Sequence, residues 1–285
     1  MANKVAVVTD SITCLSKQLV RRNGIRIVPA TFSSKGKVYR DWVDVTPTEA
    51  YEMFLEDPES FATSAATPMS YIEAYRELGK QGKDILCITI SSKISTMYNV
   101  ARVAKEKVEE ELPSISIEVF DSLTTTAAEG FIALAAARAA AQGKSLSEVV
   151  QVAEEIRDKV NFLILLDTIR HIYRSGRIPK IASQIGSMIN IKPILTMSSG
   201  SMRFVGAVRN KERGIQRLLD MLRSQVGQSP VHVAVMHAYA PDEAKRLMER
   251  ISPEFNCVEL WLTEFSPVMG YVCGTGTVGF AFYKD

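Results

Sequence analysis

Histidine is nearly absent from this chain: His171, His232 and His237 are the only three in 285 residues. So small a supply of neutral-pH bases and metal ligands argues against catalysis by this chain alone. His232 and His237 stand five apart on one apparent strand, which turns them to opposite faces and leaves no metal pair. Cysteine is also sparse. Cys14, Cys87, Cys257 and Cys273 lie in apolar surroundings with no C-x-x-C pair, so reduced thiols in a cytoplasmic protein are expected. Excess charge is missing too: 34 basic residues nearly cancel 32 acidic ones, and a net +2 gives no electrostatic reason to expect nucleic acid. No apolar run approaches the roughly 18 residues of a membrane span. The opening MANKVAVVTDS has no apolar segment or cleavage site of a secretory signal and enters a strand directly. There is no P-loop and no G-x-S-x-G elbow. Gly274-Thr275-Gly276-Thr277-Val278-Gly279 spells G-x-G-x-x-G, but a strand rather than a helix follows it. These glycines are read as places where backbone passes close to another segment or a ligand.

What the chain does have is a recurring unit of strand, hydroxyl-rich turn and helix. In Asp84–Leu112 the apolar run Ile85–Ile90 leads into Ser91, Ser92, Ser95 and Thr96. Met97, Val100, Ala101, Ala104, Val108 and Leu112 then follow at helical spacing. Val5–Val8 runs likewise into Thr9-Asp10-Ser11, Phe61 into Thr63, Ser64 and Thr67, and Ile115–Phe120 into Asp121-Ser122 and Thr124–Thr126. A helix N-terminus at such a turn collects N–H groups and positive dipole, which suits a small anionic group. The same hydroxyls are ordinary helix caps. Loops at the carboxyl ends of strands in one sheet are expected to face one crevice.

The composition, 46% hydrophobic and 23% charged, is that of a globular protein of one large domain or two ordinary ones. Strands are expected at Val5–Val8, Ile25–Ala30, Ile85–Ile90 and Ile115–Phe120. Helices are expected at Pro47–Leu55, Pro68–Gln81, Met97–Leu112, Thr125–Gln142 and Leu146–Val160. Thr46-x-x-Glu49 and Ser145-x-x-Glu148 are capping boxes, and Thr67-Pro68 is a third cap. The expected fold is α/β, with a mainly parallel helix-flanked sheet in residues 1–160 and a smaller mixed α/β unit in 161–285. In the second unit the strands are Phe162–Leu166, Ile189–Met197, Arg203–Val208, Val231–Met236 and Val258–Leu262, with a turn at Ser198-Ser199-Gly200. Its helices are Asn210–Gln225 and Pro241–Ile251. A cleft between the two units is the natural ligand site.

Arg170, Arg174, Arg177 and Lys180 put four cations beside an apparent helix end, with Gly176 as its C′ residue. They either compensate a helix dipole or form a docking patch. Phe131–Ala141 is rich in alanine, from plain helix propensity or to leave room for something long and narrow.

Taken together, these loops resemble those of the DegV family of bacterial fatty-acid-binding proteins, over nearly the whole chain. The resemblance rests on Thr9-Asp10-Ser11, Thr63-Ser64…Thr67-Pro68, Ile90-Ser91-Ser92-Lys93-Ile94-Ser95…Tyr98-Asn99, Asp121-Ser122, Ser175-Gly176-Arg177-Ile178 and Pro267-Val268-x-Gly270…Gly274-x-Gly276. It implies one buried long-chain fatty acid such as palmitate, with the carboxylate held by Thr63 and Ser95. Ser64, Ser91, Thr96, Asn99, Arg209 and Gly274 are the further candidate ligand contacts. It also implies a possible role as the acyl-carrying subunit of a fatty-acid kinase, with an ATP-binding partner docking at the Arg170–Lys180 patch. No metal or other cofactor is implied. The family commonly reads Thr-Ser-Gln-Pro at Thr63-Ser64-Ala65-Ala66, Leu-Ser-Gly-Thr-Tyr at Ile94–Tyr98, and histidine at Val272. The rival expectation is an enzyme acting on a small phosphorylated or carboxylated metabolite in the same crevice. A third is an interaction module built on the cationic patch.

Overall fold

A computed structural model describes residues 4–176 and 190–285 of the chain. Arg177 and Lys180 of the cationic patch, and the start of the expected strand Ile189–Met197, lie outside the described residues. Four parallel strands form the first sheet in the order β2 (Arg26–Val28), β1 (Val5–Asp10), β6 (Asp84–Thr89), β7 (Ile117–Asp121). Every residue of β1 is buried, because helices cover both faces of a parallel sheet; the strand is apolar up to Val8 and ends in the buried polar pair Thr9 and Asp10. The helices of this part are α1 (Lys17–Asn23), α2 (Pro47–Glu56), α3 (Pro68–Gly79), α4 (Met97–Glu111), α5 (Thr126–Ala141) and α6 (Leu146–Lys159). Both expected capping boxes are formed, and Thr67 accepts from Ser70 N at 3.2 Å.

A second, six-stranded sheet opens at Asn161. Its order is β10 (Ser201–Val208), β9 (Lys192–Ser198), β8 (Asn161–Leu165), β13 (Val278–Lys284), β11 (Val231–His237), β12 (Cys257–Glu264). All its pairings are antiparallel except β11 with β12. This sheet is wider than the first, although it belongs to the shorter stretch of chain expected to form the smaller unit. Helices α7 (Arg170–Ser175), α8 (Lys211–Val226), α9 (Pro241–Glu254) and α10 (Pro267–Cys273) accompany it. A third sheet of order β4 (Lys37–Arg40), β3 (Thr31–Ser34), β5 (Ala62–Ser64) was not expected. Its strands are three or four residues long and largely polar. The signal for it is the two-residue turn Lys35-Gly36, both at positive φ (49° and 77°), which matches a right-twisted hairpin.

Helix α5 lies between the two large sheets, touching β1 and β6 on one side and β13 and β11 on the other. Nearly all of it is therefore buried, and its alanines and Gly130 allow close approach from both sides. None of its residues borders the cavity described below, so the alanines serve packing rather than a ligand channel. The glycines of the false dinucleotide motif mark close contacts. A Cβ on Gly279 would lie 2.1 Å from the Leu163 carbonyl oxygen, and one on Gly274 would lie 2.4 Å from His171 Cδ2.

Candidate functional site

The carboxyl ends of β1, β6 and β7 gather the hydroxyl loops, but most of those hydroxyls are spent within the protein. Asp10 accepts from Ile12 N and Ile90 N, both at 3.0 Å. Ser11 donates to Asp41 Oδ2 at 2.6 Å, and Ser266 donates to the same oxygen at 2.5 Å. Ser92 donates to Asp121 at 2.5 Å, and Ser122 to Thr124 O at 3.2 Å. Burial pushes Asp10 up to about 7 and Asp41 to about 6, and it raises Glu129 well above the carboxylate range. The buried Tyr71 hydroxyl has no hydrogen-bond partner among the described residues, and the Glu129 carboxyl lies against that of Asp10, which raises it further. This ring of polar groups is a sealed joint.

Beside it lies a cavity enclosing about 680 Å³ of space free of protein atoms, part of it open to solvent. The first part of the chain lines it with Ile12, Ala30, Ile90, Ile94 and Met97, and the second with Ile172, Met202, Val268, Met269, Val272 and Cys273. Thr63, Ser64, Ser95 and Thr125 add hydroxyls, and Ala65 completes the lining. No lining residue among the described ones carries a charge, and burial pushes the Cys273 thiol up to about 12, so it stays protonated. Ser95 Oγ accepts from Met97 N at 3.3 Å in the first turn of α4, which leaves its own proton for an acceptor in the cavity. Thr63 and Ser64 stand on β5, paired with Phe32 and Thr31 of β3. Such a wall takes a long apolar body, and the hydroxyls with the α4 N-terminus take a small polar end.

The chain matches the family model described as "Uncharacterised protein, DegV family" over residues 4–285. It belongs to the DegV family. A DegV domain-containing protein of Clostridium perfringens is 31% identical over 283 residues, 99% of each chain. Among solved structures, a DegV family protein of Thermus thermophilus, described as binding fatty acid, superposes with TM-score 0.90 at 26% identity, covering 99% of this chain and 100% of its own. A stearic-acid-binding protein of Eubacterium ventriosum gives 0.91 at 25% identity and 98% of each chain. DegV of Bacillus subtilis, described as a fatty acid binding protein, gives 0.87 at 27% identity and 99% of each chain.

Of the candidate contacts read from the DegV-like motifs, the cavity brings together Thr63, Ser64 and Ser95. The others stand elsewhere. Ser91 is buried and donates to Gly200 O at 2.8 Å. Thr96 is exposed just before α4 and Asn99 on it, and Arg209 is exposed just past β10. Gly274 makes room for the His171 ring. Arg174 donates to Pro58 O at 2.9 Å and pairs with Glu59 at 2.7 Å, while Arg170 is exposed. Val272, at the position of the family histidine, is part of the apolar wall. Thr125, Met202 and the α10 residues Val268, Met269 and Cys273 were missed as lining residues. Ser266-Pro267 was the available signal, an N-cap followed by proline at the first helical position. His232 and His237 do face opposite ways: His232 stacks on Tyr283, while the Nδ1 of His237 accepts from Ala240 N. Among the described residues no cluster suits a metal, and no helix is long and apolar enough to cross a membrane.

Proposed function

We propose that this protein binds one long-chain fatty acid in this cavity, with the carboxylate at Thr63, Ser64 and Ser95, and carries or presents it rather than transforming it. The observation that carries the reading is a cavity lined, among the described residues, by apolar side chains, one buried thiol and hydroxyls with no charged group, one hydroxyl lying at a helix N-terminus. A sixteen-carbon tail gains on the order of 10 kcal/mol gross from burial at about 0.8 kcal/mol per methylene. Each head-group hydrogen bond adds roughly 0.5–1.5 kcal/mol, or up to about 3 when charge-assisted. The tail therefore sets affinity and the head sets orientation. The family relatives described as binding fatty acids support the same ligand class.

An enzyme acting on a phosphorylated or carboxylated metabolite would need a base or cation in this wall to activate its hydroxyls or the Cys273 thiol, and the described lining supplies neither, while burial keeps that thiol protonated. Presentation of the carboxylate to an ATP-binding kinase subunit, docking near Arg170 and Arg174, is part of the proposal. So is a division into units 1–160 and 161–285 that meet at the cavity, supported by the six-stranded sheet beginning at Asn161. The free thiols fit a cytoplasmic location. Mass spectrometry of lipid extracted from the purified protein tests the reading. A stoichiometric fatty acid is expected; an empty protein, or one carrying only a polar metabolite, overturns it.

A further inference from the structure

The β9–β10 hairpin reaches from the six-stranded sheet and ends on the loop that carries Ser95. Its turn residues Ser199 and Gly200 both have positive φ, 48° and 78°. Two side chains of the loop hold the two turn carbonyls: Ser91 Oγ donates to Gly200 O at 2.8 Å, and Lys93 Nζ to Ser199 O at 2.6 Å. The seat is also steric. A Cβ on Gly200 would lie 2.9 Å from Ser91 Oγ and 3.1 Å from both Leu123 Cδ2 and Lys93 Cδ. Two residues beyond the turn, Met202 forms part of the cavity wall.

Ser91 also connects to the polar end of the cavity. Its carbonyl accepts from the N–H groups of Ile94 and Ser95, each at 3.1 Å. The other flank of the loop is tied down, since Ser92 bonds Asp121 through both N (3.1 Å) and Oγ (2.5 Å). The hairpin tip, the loop and Ser95 therefore form one hydrogen-bonded chain that crosses between the two sheets.

We propose that the β9–β10 hairpin is a strap over the cavity, and that Ser91 and Lys93 are positioning residues that latch its tip and set how fast the ligand leaves. The proposal rests on the fatty-acid reading above. A buried tail escapes only when a wall element moves, and moving this hairpin withdraws Met202 at the cost of two hydrogen bonds. Loosening the latch speeds entry and exit together, so release changes more than equilibrium affinity. Removing a ligand contact would instead change affinity and release in parallel.

The test loads wild type, Gly200→Ala and Lys93→Met with radiolabelled palmitate and follows its transfer to phosphatidylcholine vesicles. Release about tenfold faster is expected in both variants, with Kd changed less than about threefold. The Ser95 amide should also exchange its hydrogen faster. Release and Ser95 exchange both equal to wild type in the variants overturn the strap. Should Gly200→Ala fail to fold, Lys93→Met, which alters an exposed side chain, carries the test. If wild type retains no palmitate, the fatty-acid reading falls. Hydrogen exchange then decides the strap alone, and unchanged Ser95 protection in Lys93→Met refutes it.

Discussion

Two groups of hydroxyls, one at the carboxyl ends of the parallel strands and one shared by Ser95 and the short strand β5, are used by the fold in opposite ways. In the sealed joint, Ser11, Ser92, Ser122 and Ser266 each donate to a protein oxygen within 3.2 Å, and the buried Asp10 accepts two backbone N–H groups. In the cavity, Ser95 accepts from the backbone and Thr63 and Ser64 border an apolar space. The residue types are the same. What differs is whether a partner arrives from elsewhere in the chain: Asp41 and Ser266 reach the first group, while apolar Ile, Met and Val residues surround the second. Hydroxyl-rich turns thus mark where a site can form, and the tertiary partners decide which hydroxyls stay available to a ligand.

The sharpest way to break the contrast is to remove the partner that closes the joint. Asp41→Ala strands the hydroxyls of Ser11 and Ser266 in a buried setting. It should lower unfolding free energy by about 2–6 kcal/mol, at about 1–3 kcal/mol for each of the two orphaned groups. Chemical denaturation checks this, and an unchanged midpoint would show that the joint contributes little.

On the cavity side, Thr63→Ala with Ser95→Ala should leave the fold nearly intact and weaken palmitate binding by a comparable few kcal/mol, roughly 10- to 100-fold. Titration calorimetry with palmitate gives the answer. Wild-type affinity in the double variant would remove these residues from the head-group site.

The joint also predicts a pH dependence that the uncharged cavity lacks. Burial holds Asp10 near 7 and Glu129 well above its usual range, so the folded chain keeps protons that the unfolded chain releases above about pH 4. Stability from these two groups is complete at low pH and is lost as pH rises through their folded values. Glu129→Gln mimics the neutral acid. It should match wild type within about 1 kcal/mol at about pH 4, where the acid is neutral in both states, and reduce the fall in stability between about pH 5 and about pH 9. A fall as steep as that of wild type would mean that Glu129 is already ionised in the fold.

The smallest effect is expected on the cationic rim. Arg174 is paired with an exposed Glu59, so Arg174→Glu with Arg170→Glu should cost at most about 1 kcal/mol of stability and leave palmitate affinity unchanged. The same pair should slow acyl-phosphate formation by a cognate kinase in a salt-dependent way. Lost lipid binding with normal kinase turnover would place these arginines at the ligand instead.

The sequence by itself determined the alternation of strands and helices, the caps at Thr46, Thr67 and Ser145, the false dinucleotide motif and the strand-to-helix turn at Ser95. Each is a matter of local periodicity, backbone preference or a hydrogen bond within a few residues, so the information lies in short windows. The tertiary structure alone decided that Ser91 latches a hairpin, that Asp41 joins Ser11 to Ser266, and that α5 is alanine-rich because two sheets press on it. It likewise decided that Met202 and the α10 residues complete the cavity wall. These depend on pairings across more than a hundred residues, as between Ser91 and Gly200, or on strands too short to carry a period of their own, as in β3 to β5. Neither the partner of such a side chain nor the lining of the cavity is encoded near the residue it serves.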